Sequence, residues 1–427
     1  MSAPKIKTEN RVIFFDNLRC LFVLFVILEH SSNAYRNLIW WPVADKDTSI
    51  IAEWVSALSD AFAMPLLFYI AGYFAIPTIK KKSTSSFLKG KLRRLGIPWL
   101  LCILTICPVL PLIYHFTRNG LTLSMSYWDL WVILLRNAAE LNVRLIVSMN
   151  ELMMNNQFYQ RYMWFLSLLL LFFLVFSIMY SFKKSWFDRV DQPVISESPS
   201  VLPTLKLLLG VGFLTAICSF LMIGTVLVLG PKSSTPEPLF TLGNIIQFRP
   251  SRLFLFIIYF GMGVITYRNR WIERGKFPGH CKTWVISFLG LLIVYLFTRS
   301  LMLNGPNHLR AIYGPIFFFI LNFLTITTLG LFTSIAVRHW NRPTAFAGNL
   351  ASNSYYMYLS HYIFVLVFQL ILFTFPGVPG LLKFGLVSVL SIVCAYIVSQ
   401  FCIKPFPRIS IITTITIFMV MVLVIHP

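Results

Sequence analysis

Four ionisable residues share one apolar stretch near the start of the chain: Asp16, Arg19, Glu29 and His30, within IFFDNLRCLFVLFVILEHSS, residues 13–32. Roughly 20 residues at 1.5 Å rise is about what a bilayer-crossing helix needs. Each charge inside such a helix costs on the order of 2.5–3.5 kcal/mol, so its default reading is functional. Asp16 and Arg19 are three apart and can pair, which makes Asp16 a structural partner that lowers the cost of burying the arginine. Arg19 and His30 are eleven apart, close to three turns, so they fall on one stripe about 16 Å apart along the axis. Glu29 points about 100° away from His30. Histidine as a residue type titrates near pH 6.5, which suits it to general-base work. The plain alternative is a buried ion pair and a histidine satisfied at the helix end.

The rest of the chain supplies the elements that would hold this stripe. It has 427 residues, of which 57% are hydrophobic and only 12% charged, and a mean hydropathy of +0.75. Soluble domains are nearer a quarter charged, so the composition specifies an all-α polytopic membrane protein. The net charge of +21 does not point to nucleic acid, because Lys and Arg alternate in short loops between apolar runs. The seven cysteines show no CxxC or metal-ligand spacing, and neither a metal nor a bound cofactor is expected.

Apolar runs fall near 13–33, 54–79, 95–115, 162–182, 205–229, 251–267, 283–303, 311–337, 354–375, 382–403 and 409–425. That is ten or eleven spans, with no internal repeat. Lys5 and Lys7 precede the first run without a small-residue cleavage site, which reads as an uncleaved anchor. With the N-terminus in the cytoplasm, 23 of the 36 basic residues lie in cytoplasmic loops, the better orientation by the positive-inside bias. His30 then sits near the outer end of the first helix. The chain reads as one domain, 1–427, with a core over 12–408 and a further helix within 409–427. An outer segment, 116–161, has Trp128, Trp131, Leu134, Leu135 and Ala138 at helical spacing and Arg136, Glu140 and Arg144 at i,i+4. It is expected to form one or two interfacial helices, either roofing the site or merely anchoring it.

Four further stretches stand out. Phe68-Tyr-Ile-Ala-Gly72-Tyr-Phe74 places a glycine where helices can approach closely. Lys89-Gly-Lys91-Leu-Arg93-Arg94-Leu-Gly-Ile-Pro98 leads basic residues into a helix, as suits phosphate recognition, although such clusters also set topology or attract anionic lipid. Trp164-Phe-Leu opens a span, where interfacial tryptophan is common. Ser352-Asn-Ser-Tyr355-Tyr-Met-Tyr358-Leu-Ser-His361 puts Tyr355, Tyr358 and His361 on a polar stripe.

Taken in this order, over roughly Phe14 to Phe406, these motifs resemble the membrane-bound acyltransferase-3 family. Asp16, Arg19 and His30 match that family's first-helix pattern. The glycine segment, the basic cluster, Trp-Phe-Leu and the Ser-Tyr-x-x-Tyr-x-x-His stretch match the others, though Ala71-Gly72-Tyr73 stands where many members read Ser-Gly-Phe. Within the family, RRLGIPW and the compact architecture look most like the glucan biosynthesis branch, which succinylates periplasmic glucans. The resemblance implies a multi-pass protein of the cell (inner) membrane. It would move an acyl group, succinyl or acetyl in type, from cytoplasmic acyl-CoA, as co-substrate, to a glycan hydroxyl on the other face.

On that reading Lys91, Arg93 and Arg94 dock the nucleotide, with Tyr355, Tyr358 and His361 along the donor's way. Arg19 holds or polarises the donor, and His30 takes the hydroxyl proton. Glu29 either orients a partner of His30 or reaches interfacial water. Trp40, Trp41, Trp128 and Trp164 offer faces to a sugar. The competing reading is a transporter or flippase, or an export-complex subunit, which would use the same stripe without needing a cytoplasmic acyl-CoA site.

Overall fold

In the computed structural model the charged stretch is one unbroken helix, α1 (Ile13–Ser32), with Phe14, Phe15, Phe22 and Ile27 essentially inaccessible. Its early charges are tolerated because Arg19 Nη2 reaches Asp16 Oδ1 at 3.1 Å, neutralising both within the first two turns. Residues 13–425 are described except 37, 39, 141–142, 147, 189–197, 231–237 and 243–245. The basic residues Lys5, Lys7 and Arg11 thus lie outside the described residues.

The helices that follow are α2 (Ile50–Tyr73), α3 (Ala75–Lys80), α4 (Thr84–Lys91), α5 (Ile97–Thr105), α6 (Val109–Arg118), α7 (Tyr127–Ala139), α8 (Met149–Met154) and α9 (Trp164–Phe182). Then come α10 (Lys184–Asp188), α11 (Val201–Leu229), α12 (Pro250–Arg268), α13 (Cys281–Asn304), α14 (Arg310–His339), α15 (Ala345–Phe373), α16 (Gly380–Val398) and α17 (Pro407–Val424). Among the described residues, 10 helical segments are long and apolar enough to cross a membrane. Helix α1 stands apart from that count because it carries three charges, yet it packs against α2, α14, α15 and α16. Its neighbours supply the protein surroundings that let a charged helix sit in a bilayer. Helix α17 buries none of its side chains and leans against α5 and α7 from outside.

Two features depart from expectation. The third apolar run is not one helix: α4 passes into α5 through a single wider turn at Leu92–Gly96, and the chain breaks again before α6 at Pro108. Proline has no N–H to continue the ladder. The helix expected through Arg144 ends at Ala139, and residues 143–146 are a strand instead. Strands β1 (Val143–Ile146), β2 (Leu239–Leu242) and β3 (Ile246–Phe248) form an antiparallel sheet in the order β1-β2-β3, with Arg144 opposite Thr241 and Phe240 opposite Phe248.

Helices α2 and α12 touch backbone to backbone. A Cβ at Gly72 would lie 2.0 Å from Phe260 O, and one at Gly263 2.1 Å from Tyr69 O, so the expected close approach is made here twice over. Gly72→Val is therefore expected to lower stability at the upper end of the about 1–3 kcal/mol typical of overpacking. Thermal unfolding of the purified protein checks this against Gly90→Val, since nothing lies within 4 Å of a Cβ at Gly90.

Candidate functional site

Helices α1 and α15 run side by side in the same direction. Near one end Arg19 donates from Nε to Ser354 Oγ and from Nη2 to Ala351 O, both at 3.4 Å. Near the other, the His30 ring lies parallel to His361, with centroids 5.4 Å apart and planes within 7°. Gln369 closes the pair: its Nε2 donates to His30 O at 3.0 Å and Ser31 O at 3.1 Å, and its Oε1 accepts from Trp41 Nε1 at 2.9 Å. Those carbonyls belong to the last turn of α1, where intrahelical donors run out. One side chain from α15 thus caps α1 and fixes the tryptophan beside the histidine.

A chain of hydrogen bonds leads from Arg36 through Asn33 to the Glu29 carboxylate beside His30. Arginine can only donate, so the Asn33 oxygen faces Arg36 Nη1 at 2.7 Å, and its amide nitrogen donates to Glu29 Oε1 at 3.0 Å. Glu29 is thereby an acceptor-only carboxylate, and its Oε2 stands 2.6 Å from His30 Nδ1. That approach is too oblique for a regular hydrogen bond, but it assigns the neutral ring's proton to Nδ1 and leaves Nε2 as the basic edge. Arg36 is held in turn by Glu53 (Nε to Oε2, 2.8 Å), which also accepts from Arg299 Nη2 at 2.6 Å. His361 Nδ1 lies 2.7 Å from Tyr358 O, while its Nε2 is buried without a hydrogen-bond partner among the described residues.

The ring of His30 edges a cavity of about 150 Å³, room for a handful of waters at roughly 30 Å³ each. Glu29, Trp40, Trp41, Trp164, Tyr358 and Tyr362 line it with His30, and so do the charged groups Asp60, Arg161, Arg249 and Arg252. Leu239 of β2 and Phe248 of β3 line it as well. Arg252 Nη2 pairs with Asp60 Oδ2 at 2.7 Å. Burial pushes the Tyr159 phenol above its ordinary range, against the opposing pull of Arg249 and Arg161, which keeps this lining hydroxyl neutral.

At the opposite end of the α15 stripe lie the basic residues. Arg93 and Arg94 are exposed on the wider turn, and the Arg94 guanidinium sits 5.1 Å over the Tyr355 ring, whose hydroxyl donates to Arg94 O. Lys91 folds inward, its Nζ 3.7 Å from the Phe173 ring centroid. Tyr358 Oη donates to Tyr162 O at 2.5 Å.

The tyrosine–histidine stripe is therefore divided between two places: Tyr355 stands with the basic cluster, Tyr358 and His361 with His30. Asp16 serves the ion pair expected of it. Arg19 lines no part of the His30 cavity. Trp128 stacks on Trp131 at 5.1 Å and is exposed, away from the cavity, while Trp131 packs against Phe418 of α17. Of the outer segment 116–161, Tyr159 and Arg161 line the cavity, whereas no described residue of α7 or α8 does. Asp60, Arg252, Glu53 and Arg299 escaped notice, although ionisable residues within spans were the very signal that marked α1.

A family model described as an acyltransferase domain matches residues 12–400. Comparison with curated proteins and with solved structures gives no match.

Proposed function

The chain belongs to this acyltransferase-3 family, and on that footing we propose that it moves a succinyl- or acetyl-type group from cytoplasmic acyl-CoA to a glycan hydroxyl across the inner membrane. The observation that supports this most is the spacing of two unlike sites along α15. Exposed arginines, able to grip a nucleotide's phosphates, stand at one end, and a carboxylate-backed histidine edges a polar cavity at the other. Tyr355 and His361 are six residues apart, or about 9 Å of helix. In this reading the N-terminus and the Arg94 end face the cytoplasm, and the donor's narrow arm bridges that distance. Arg19, level with Ser354, holds the arm rather than the thioester.

The chemistry is direct transfer. His30 Nε2 takes the proton of the acceptor hydroxyl as its oxygen bonds to the thioester carbonyl carbon. Collapse of that adduct breaks the carbon–sulfur bond, and the departing thiolate takes the proton from the imidazolium. Glu29 steadies the positive ring between these events. A sugar would stack on Trp40, Trp41 or Trp164, and a glucan of the periplasm is the acceptor we favour.

The test is acyl-CoA binding and turnover by detergent-purified protein, wild type beside the double variant Arg93→Gln/Arg94→Gln. Removing the charge-assisted hydrogen bonds to the phosphates should weaken binding by about 10–100-fold. Unchanged binding removes the arginines from this role. A folded wild type that binds no acyl-CoA favours the transporter reading.

A further inference from the structure

Arg161 lies just ahead of α9, is only 4% exposed, and lines the His30 cavity. Its backbone φ is +55°, in the left-handed region that a residue with a Cβ enters at a cost. Its guanidinium lies 5.0 Å over the Tyr159 ring, one terminal nitrogen touches the neutral sulfur of Met153, and the other, Nη1, is buried with no hydrogen-bond partner among the described residues. The two carboxylates of the cavity are engaged elsewhere, Asp60 by Arg252 and Glu29 by Asn33 and His30. Among the described residues, no carboxylate pairs with Arg161.

A buried cation without a counter-charge is strongly unfavourable, and arginine cannot escape by losing its proton. Such a charge is understandable when its partner arrives with a substrate. The planar fork matches a carboxylate. Resting on the acyl-transfer reading, we propose that Arg161 is a specificity residue that binds a carboxylate carried by one of the two reacting molecules. That group is either the far end of a dicarboxylic acyl chain or an acid on the acceptor sugar.

Turnover is measured with succinyl-CoA against butyryl-CoA, four-carbon chains that differ in the terminal carboxylate. The acceptor is a neutral oligosaccharide or the same oligosaccharide carrying one uronic acid. Wild type should prefer the charged member of one pair. In Arg161→Met that preference should fall by about 10–100-fold in kcat/KM, with the neutral twin unaffected, and Arg161→Lys should fall between. A preference in the donor pair assigns the carboxylate to the acyl chain; one in the acceptor pair assigns it to the sugar. Because Arg161→Met removes an unpaired buried charge, it should melt at or above wild type, and a lower melting point would make the arginine structural and overturn the proposal. So would a wild type indifferent to charge in both pairs, or a Met variant that loses charged and neutral substrates alike. A wild type that turns over no donor overturns the acyl-transfer reading itself, and this inference with it.

Discussion

His30→Ala is expected to lower turnover by about 10²–10⁴-fold, the usual contribution of a positioned general base, while acyl-CoA binding stays at the wild-type level. The split follows from geometry: the arginines proposed to grip the donor stand beside Tyr355, whereas His30 stacks on His361 further along α15. The helix end should survive the change, because Gln369 bonds to the backbone carbonyls of residues 30 and 31 and not to the ring. Single-turnover acylation of a glycan acceptor and equilibrium binding, run on the same preparation, separate the two effects. Full transfer by a correctly inserted His30→Ala protein would remove the base from this mechanism.

Lys383→Met is expected to destabilise the fold by about 3–5 kcal/mol, the cost of leaving a buried charge without its partner. Lys383 Nζ lies 2.8 Å from Asp45 Oδ2 and 3.0 Å from Asp47 Oδ2, with the lysine 1% and the Asp45 side chain 5% exposed. These contacts pin the connection from α1 to α2 onto α16, and that connection carries Trp40 and Trp41 into the cavity wall. Adding Asp45→Asn to the variant should restore much of the loss, since the stranded charge is then gone; a double-mutant cycle by thermal unfolding measures it. The hydrogen bond from Lys383 holds the Asp47 carboxyl below the ordinary aspartate range. Its share of the attachment is therefore present above that range and fades as pH falls through the lowered value.

The bundle was legible because apolar runs of membrane length have few alternative readings, and α1 because its charges break such a run. The sheet was not, since its strands are only three or four residues long, and β1 finds β2 nearly a hundred positions away, so they leave no periodicity of their own. Glu140 and Arg144, at helical spacing, do meet, but across the end of α7 and the start of β1. Hydropathy also hid Arg161: at the edge of an apolar run it reads as an interfacial anchor, and only packing reveals that it is enclosed. Trp128 is a different case: its ring stacks on Trp131 and it is exposed, and it does not line the His30 cavity.

Leu239 and Phe248, which line the cavity, come from two short strands rather than from a helix of the bundle. Connections tolerate insertion and exchange of side chains far better than packed helices do. A lineage could therefore reshape this part of the cavity wall by rewriting the strands alone, while the histidine and its carboxylate on α1 pass unchanged from ancestor to descendant.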